Sequence, residues 1–168
     1  LRLAPSAQPP SAQRKLRMGD ALAAMLELLA RPWVRVMLIS VGIEGFAFYG
    51  AFAYIGADLH HRLGVGFGLI GALMAAFGVG AIAYTLSVHR LMNLLGERGL
   101  ALAGGLLLAC GYVALAATSR VAAVPAVMVV LGLGFYMIHN TLQSNATQMA
   151  PESRGLGVSL FAFALFIG

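Results

Sequence analysis

Charged residues are scarce in this chain of 168 residues: Asp, Glu, Lys and Arg together make up 10% of it, whereas apolar residues make up 60%. Soluble domains contain about 25% charged residues. The mean hydropathy of +0.87 is also too high for a typical soluble domain. A water-soluble fold could not bury so much apolar surface, so the composition predicts an integral membrane protein.

Cysteine and catalytic motifs are also almost absent. Cys110 is the only cysteine and lies in an apolar run, which excludes an intrachain disulfide. No G-x-S-x-G, P-loop or CxxC pattern occurs. His60 and His61 are adjacent in a predicted loop, and adjacent side chains do not converge on one metal ion. We therefore predict no enzyme activity, no cofactor and no metal site.

The net charge of +5 comes from basic residues at the ends of apolar runs. They form no basic stripe with interleaved aromatic residues, so nucleic acid is not an expected partner. Counted on alternate sides of the predicted spans, two basic residues (Arg62 and Arg120) lie on one side and eight on the other. The positive-inside rule places these eight in the cytoplasm: Arg14, Lys15, Arg17, Arg31, Arg35, Arg90, Arg98 and Arg154.

The order of polar and apolar segments predicts an all-α transmembrane bundle. Residues 1–18 are typical of a flexible basic cytoplasmic linker, and residues 19–31 have the spacing of an amphipathic helix on the membrane surface. A helical span needs about 20 apolar residues. The chain has no initiator Met and ends within an apolar run, which favours a fragment. The predicted spans are 33–57, 65–88, 100–118, 121–149 and a short 156–168.

Small residues repeat every four positions in two of these spans, the pattern that lets membrane helices pack closely. Span three contains no Asp, Glu, Lys, Arg or His between Leu100 and Thr118, which favours an outer, lipid-facing position. The repeats are Gly68, Ala72, Ala76 and Gly80 in span two, and Ala101, Gly105 and Ala109 in span three.

Glu44 lies near the middle of span one, where an unpaired carboxylate is costly. One interpretation is a carboxylate that exchanges protons or contacts a substrate. The other is a neutral acid that forms a hydrogen bond to a neighbouring helix. Aromatic residues in the same span, among them Tyr49, either line an apolar cavity or pack against other helices.

Span four becomes polar after Leu133. Tyr136, Asn140 and Gln143 share one helical face, with His139 beside Gln143. This face is either the wall of a water-filled path, with His139 able to titrate near neutral pH, or a set of interhelical hydrogen bonds. Glu44 and His139 fall at a similar depth, so a shared cavity is geometrically feasible.

Several runs in combination resemble the C-terminal half of major facilitator superfamily transporters, particularly bacterial members similar to drug-proton antiporters. The resemblance covers residues 31–168. It implies that the spans correspond to the seventh to eleventh of twelve helices, and residues 1–30 to the central cytoplasmic loop. The runs are GFAFYGAF at 45–52, GFYMIHNTLQ at 134–143, and MAPESRG at 149–155 followed by SLFAFALF at 159–166.

The resemblance implies a secondary carrier whose seventh and tenth helices, spans one and four here, line a central cavity. Glu44 and His139 become candidates for coupling to protons or sodium ions. Tyr49, Tyr136, Asn140 and Gln143 become candidate cavity-lining residues.

The family's cytoplasmic loop motif is degenerate in this chain. Gly96 and Arg98 match it, whereas Asn93 and Leu94 replace its Asp and Arg. A second cytoplasmic loop contains Pro151, Arg154 and Gly155. The uncharged Asn93 and Leu94 argue against charge-relay gating at the degenerate copy of the motif.

These observations predict a fragment of a proton-coupled exporter of a small molecule, located in a bacterial cytoplasmic membrane. The missing N-terminal half of the same carrier would be its structural partner, together with the lipid bilayer. The alternative from another class is a non-transporting membrane sensor or assembly protein that reuses the bundle.

Overall fold

The computed structural model describes residues 18–151 and 153–168 of the chain, and every regular element in these ranges is helical. The predicted linker at residues 1–18 lies outside the described residues except for Met18. Three of the described helices are long and apolar enough to cross a membrane. The prediction of an all-α membrane bundle is confirmed.

Proline and glycine mark the two ends of the second helix. Pro32 is at its start, where the missing N–H costs no hydrogen bond because the first N–H groups of a helix have no partner within it. Gly64 ends that helix in the left-handed conformation, with φ 66°. The elements are α1 (Met18–Ala30), α2 (Pro32–Leu63), α3 (Phe67–Ala117), a 3₁₀ turn (Val121–Ala123), α4 (Val124–Met149) and α5 (Arg154–Ile167).

Helix α3 is divided at Gly96, which has φ 64° and ψ 178°. Residues with a side chain are almost excluded from this backbone conformation. A straight helix of 51 residues would be about 76 Å long, more than twice the hydrocarbon thickness of a bilayer. The break instead gives two arms, the first arm (67–95) and the second arm (97–117), and each is long enough to span a bilayer.

Helix α4 lies between these two arms. Gly132 packs against the backbone of the first arm at Phe77 and Gly80. Gly134 packs against the second arm, where a Cβ at Gly104 would lie 2.7 Å from the Gly134 carbonyl oxygen. Residues two apart on a helix point about 200° apart. Two glycines in three residues therefore allow backbone contact on opposite faces of α4.

The lack of Asp, Glu, Lys, Arg and His between Leu100 and Thr118 predicted that the second arm lies on the outside, facing lipid. Only one face does so, because the second arm contacts α4 through Gly104 and Gly111. Its opposite face, which includes Leu102 and Leu106, is exposed. The predicted small-residue stripe at Gly105 does not form the tight contact, because a Cβ there would meet only the Ile138 side chain at 3.8 Å.

Helices α2 and α5 form the second close pair. Gly45 lies directly against the backbone of Leu165. Val34 and Val41 of α2 are fully buried in a cluster with Phe161 of α5. Glycine thus brings α2 and α5 together as it brings α4 and α3 together.

Arg62 joins the end of α2 to the end of the second arm. Its Nη2 donates to Asp58 Oδ2 at 2.7 Å and to the Leu115 carbonyl at 2.8 Å. Its Nη1 donates to the Thr118 carbonyl. Carbonyls at the end of a helix lack partners within the helix, so Arg62 caps the second arm while Asp58 holds the guanidinium in place.

The contact at Gly132 is expected to be intolerant of any side chain. Gly132→Ala would place a methyl group against the Phe77 carbonyl oxygen, which cannot move unless the two helices separate. We expect a loss of about 1–3 kcal/mol of unfolding free energy, measured by thermal or detergent denaturation of the purified protein.

Gly71→Ala is the matched control, since no atom lies within 4 Å of the added methyl group. Alanine also favours a helix over glycine, so this variant should be as stable as the original protein or slightly more so. Equal effects of the two substitutions would contradict the packing of α4 against the first arm.

Candidate functional site

Glu44 of α2 and His139 of α4 form a buried pair. The distance between His139 Nδ1 and Glu44 Oε1 is 3.1 Å. The side chains are only 16% and 3% exposed for His139 and Glu44, respectively. The two residues that the sequence places at similar depth are thus in direct contact, although 95 positions separate them.

Aromatic rings surround the imidazole of this pair. The His139 ring stacks on Phe135, with centroids 5.0 Å apart and planes 18° apart. Phe161 of α5 meets the imidazole edge-on at 5.4 Å. These rings keep water away from the hydrogen bond, and electrostatic interactions are stronger in such a low-dielectric setting.

The pair can hold a proton on either partner. When Nδ1 carries the proton, the imidazole donates to the carboxylate; when the carboxyl group carries it, Oε1 donates to Nδ1. In both arrangements Nε2 also carries a proton, so the pair with one shared proton has no net charge. Loss of that proton leaves one negative charge in a buried position, which is energetically unfavourable.

Glu44 Oε2 has no hydrogen-bond partner among the described residues, although it is buried. A buried acceptor without a donor lowers stability, so such atoms are rare away from functional or binding sites. One oxygen of this carboxyl group is therefore used by His139, and the other is left for a further group.

An apolar groove of about 500 Å³ borders Glu44, and we call it the Glu44 groove. It lies between α2, the second arm and α4, and its lining is mostly apolar apart from Ser40, Glu44 and Tyr112. The residues that define it are Ile43, Glu44 and Ala47 of α2, and Ala101, Gly105 and Ala109 of the second arm.

A second cavity, of about 480 Å³, is lined by several polar residues of α4, and we call it the polar cleft. Asn140 and Gln143, two of the candidate cavity-lining residues, line it, and the first arm forms the opposite wall with Tyr84 and Thr85. Glu97 lines the cleft near the break in α3. The polar cleft and the Glu44 groove share none of their lining residues.

Sequence reasoning overlooked Tyr84, Thr85 and Glu97. Tyr84 and Thr85 are consecutive residues with hydroxyl groups inside an apolar span, and this is the signal that could have identified them. Nothing in the sequence around Glu97 indicated that its side chain lines the polar cleft.

The two predicted tyrosines lie elsewhere. Tyr136 packs in the cluster of Tyr84, Leu100 and Met137. Tyr49 is 42% exposed, and its ring lies 6.2 Å from that of Phe166. Neither side chain lines the Glu44 groove or the polar cleft.

The predicted loop residues lie at helix boundaries. Gly96 divides α3, and the exposed Arg98 follows in the second arm. Pro151 is exposed after α4, and Arg154 and Gly155 begin α5. Within residues 18–151 and 153–168, no three His, Cys, Asp or Glu side chains are grouped as metal ligands would be.

Comparison with known proteins gives one match. The family model described as Major Facilitator Superfamily matches residues 2–168 of the chain. No curated protein and no solved structure matches it. The match covers nearly the whole sequence and concerns the superfamily as a whole, so the closer resemblance to drug-proton antiporters and to the C-terminal half stays a prediction.

The pairing of Glu44 with His139 should appear as thermodynamic coupling. His139→Leu removes the partner of Oε1 and leaves the carboxyl group buried alone, which should lower the unfolding free energy by about 1–3 kcal/mol. The double variant Glu44→Leu/His139→Leu removes both polar groups and should recover most of that loss. Denaturant titration in mixed micelles measures the unfolding free energy of the original protein, of the Glu44→Leu and His139→Leu variants, and of the double variant. If the loss in the double variant equalled the sum of the two single losses, a direct interaction would be contradicted.

Proposed function

The chain belongs to the major facilitator superfamily of membrane transporters, and from this premise we propose that it is part of a proton-coupled exporter of a small molecule. The observation that carries the proposal is the buried pair of Glu44 and His139. A shared, desolvated proton between two helices is a suitable coupling element, because its presence changes the charge in the protein interior.

The coupling follows from the charge of the pair. With one proton bound, the pair is neutral and can stay buried while the helices around it close. Without the proton, Glu44 is anionic and the closed state is disfavoured until a proton or another compensating charge arrives. Proton binding on one side of the membrane and release on the other would thereby bias an alternating-access cycle.

The substrate is proposed to contact the polar face of α4. Asn140 and Gln143 provide amide donors and acceptors in the polar cleft, which is separate from the proton-binding pair. Tyr49 and Tyr136 are also candidate cavity contacts. They would line the cavity after a rearrangement of α2 and α4, or once the N-terminal half of the carrier packs against these helices.

The remaining assignments are part of the same proposal. The helices correspond to the seventh to eleventh of a twelve-helix antiporter, and residues 1–31 lie in the cytoplasm of a bacterial cell. Gly96 and Arg98 would form the turn and the positive charge of one cytoplasmic loop. Pro151, Arg154 and Gly155 would form the next such loop, with exposed side chains at Pro151 and Arg154.

Glu44→Gln in the full-length protein tests the coupling role. The amide keeps the size and the hydrogen-bonding capacity of the side chain but cannot release a proton. We expect proton-driven transport in proteoliposomes to fall at least about tenfold, while substrate exchange without a proton gradient continues. Transport driven by a sodium gradient, measured in parallel, distinguishes the two candidate ions.

Glu27→Gln is the matched control, because it makes the same chemical change on an exposed side chain of α1. It should leave transport unchanged. If Glu44→Gln retained full proton-driven transport, Glu44 would have no coupling role.

The proposed substrate face can be tested separately on α4. Gln143→Leu removes an amide from the polar cleft and should raise the substrate KM about five- to thirtyfold, because the contacting polar group of the substrate is left unpaired. Gln148→Leu is the same substitution on the same helix at an exposed position outside the cleft. Equal KM values for the two variants would place the substrate elsewhere.

A further inference from the structure

Phe135 and His139 lie one turn apart on the same face of α4, and their rings are stacked. The ring centroids are 5.0 Å apart and the planes differ by 18°. Side chains four positions apart on a helix are neighbours, so the helix itself brings the phenyl ring to the imidazole. Phe161 of α5 contacts the same imidazole at an angle of 65°. Of these two rings, Phe135 is therefore the one that presents its face in parallel to the imidazole plane.

Phe135 is held in this position from α2. The residue is buried, and its ring stacks on that of Phe48 with a centroid distance of 3.9 Å and an angle of 25°. Phe48 lies one turn after Glu44 on α2, just as Phe135 lies one turn before His139 on α4. The aromatic contact and the polar contact between these helices are therefore consecutive. A buried ring that is in contact with rings of both helices has little room to move.

The shared proton of Glu44 and His139 has two resting places that differ in charge. On Nδ1 it gives an imidazolium and a carboxylate, with Nδ1 and Oε1 3.1 Å apart; on Oε1 it gives a neutral imidazole and a neutral carboxyl group. Burial favours the neutral arrangement, because each charge loses its hydration. The charged arrangement therefore needs additional stabilising contacts.

A parallel phenyl face is such a contact. The face of an aromatic ring is electron-rich and attracts a cation within about 6 Å of the ring centroid, most strongly where water is excluded. The imidazole of His139 lies within that distance of Phe135 and is charged in one of the two arrangements. The stack thus stabilises the imidazolium more than the neutral imidazole.

We propose that Phe135 is a positioning residue for the proton of the buried pair, because its ring face shifts the shared proton from Glu44 Oε1 toward His139 Nδ1. Only the proton moves in this step: the O–H bond breaks as the N–H bond forms within the same hydrogen bond. The proposal concerns the place of the proton and not its passage across the membrane. It therefore holds or fails independently of the proposed function.

Pentafluorophenylalanine in place of Phe135 tests the proposal. Fluorination keeps the shape of the ring nearly unchanged but reverses the electrostatic potential at its face. We expect the ratio of protons on His139 to protons on Glu44 to fall about tenfold at constant pH. Infrared spectra of the purified protein in phospholipid vesicles measure this ratio through the C=O stretch of the protonated carboxyl group. The band of Glu44 is identified by its loss in Glu44→Gln.

Pentafluorophenylalanine in place of Phe77 is the matched control. The Phe77 ring packs against those of Phe135 and Phe48, with centroids 5.8 Å and 5.5 Å away. Among the described residues, however, the phenyl rings that contact the imidazole are those of Phe135 and Phe161. Fluorination at Phe77 should leave the carboxyl band unchanged.

Phe135→Leu removes the ring and should move the proton in the same direction as fluorination does. Thermal denaturation of each variant establishes that it is folded. An unchanged carboxyl band after fluorination at Phe135 would overturn the proposal. So would an equal change after fluorination at Phe77, since the proton would then respond to the whole aromatic cluster. A change in Phe135→Leu alone would show that Phe135 acts only through its volume.

Discussion

The position of α4 between the two arms of α3 is the constraint on which the other features depend. Gly132 and Gly134 allow the backbone of α4 to touch Phe77 on one side and Gly104 on the other. Contacts between backbones leave little freedom for a helix to rotate, because no flexible side chain can adjust between them. Once α4 is held in this way, the direction of each of its polar side chains is determined.

That fixed rotation separates the polar residues of α4 into two groups. His139 faces Glu44 of α2 and Phe161 of α5, whereas Asn140 and Gln143 face the polar cleft beside the first arm. The titratable group and the neutral amides therefore have different surroundings, one apolar and one polar. Under the proposed function, this separation would give the coupling ion and the substrate binding sites of different chemistry.

The sequence was sufficient to predict the helical membrane fold and to select Glu44 and His139 as polar residues at depth. Their contact could not be predicted, because it depends on the rotation of two helices that are 95 residues apart at this point. The contact between the second arm and α4 shows the same limit. Gly104 and Gly105 are adjacent glycines, and the four-residue spacing predicted the close helix contact at Gly105. In the structure Gly104 makes that contact. The separate span predictions on either side of Gly96 correspond to two arms because this glycine adopts a conformation that a helix cannot contain.

The two oxygens of Glu44 have different surroundings. Oε1 contacts His139, and Oε2 is buried without a hydrogen-bond partner among the described residues. Under the proposed function, a hydrogen-bond donor that reached Oε2 would stabilise the anionic carboxylate, and a proton on the carboxyl group would weaken its attraction for that donor. By linkage, such a donor would change the proton affinity of the pair to the same extent that protonation changes the affinity for the donor. A conformational change that moved a donor to or from Oε2 would therefore alter proton binding through this one side chain.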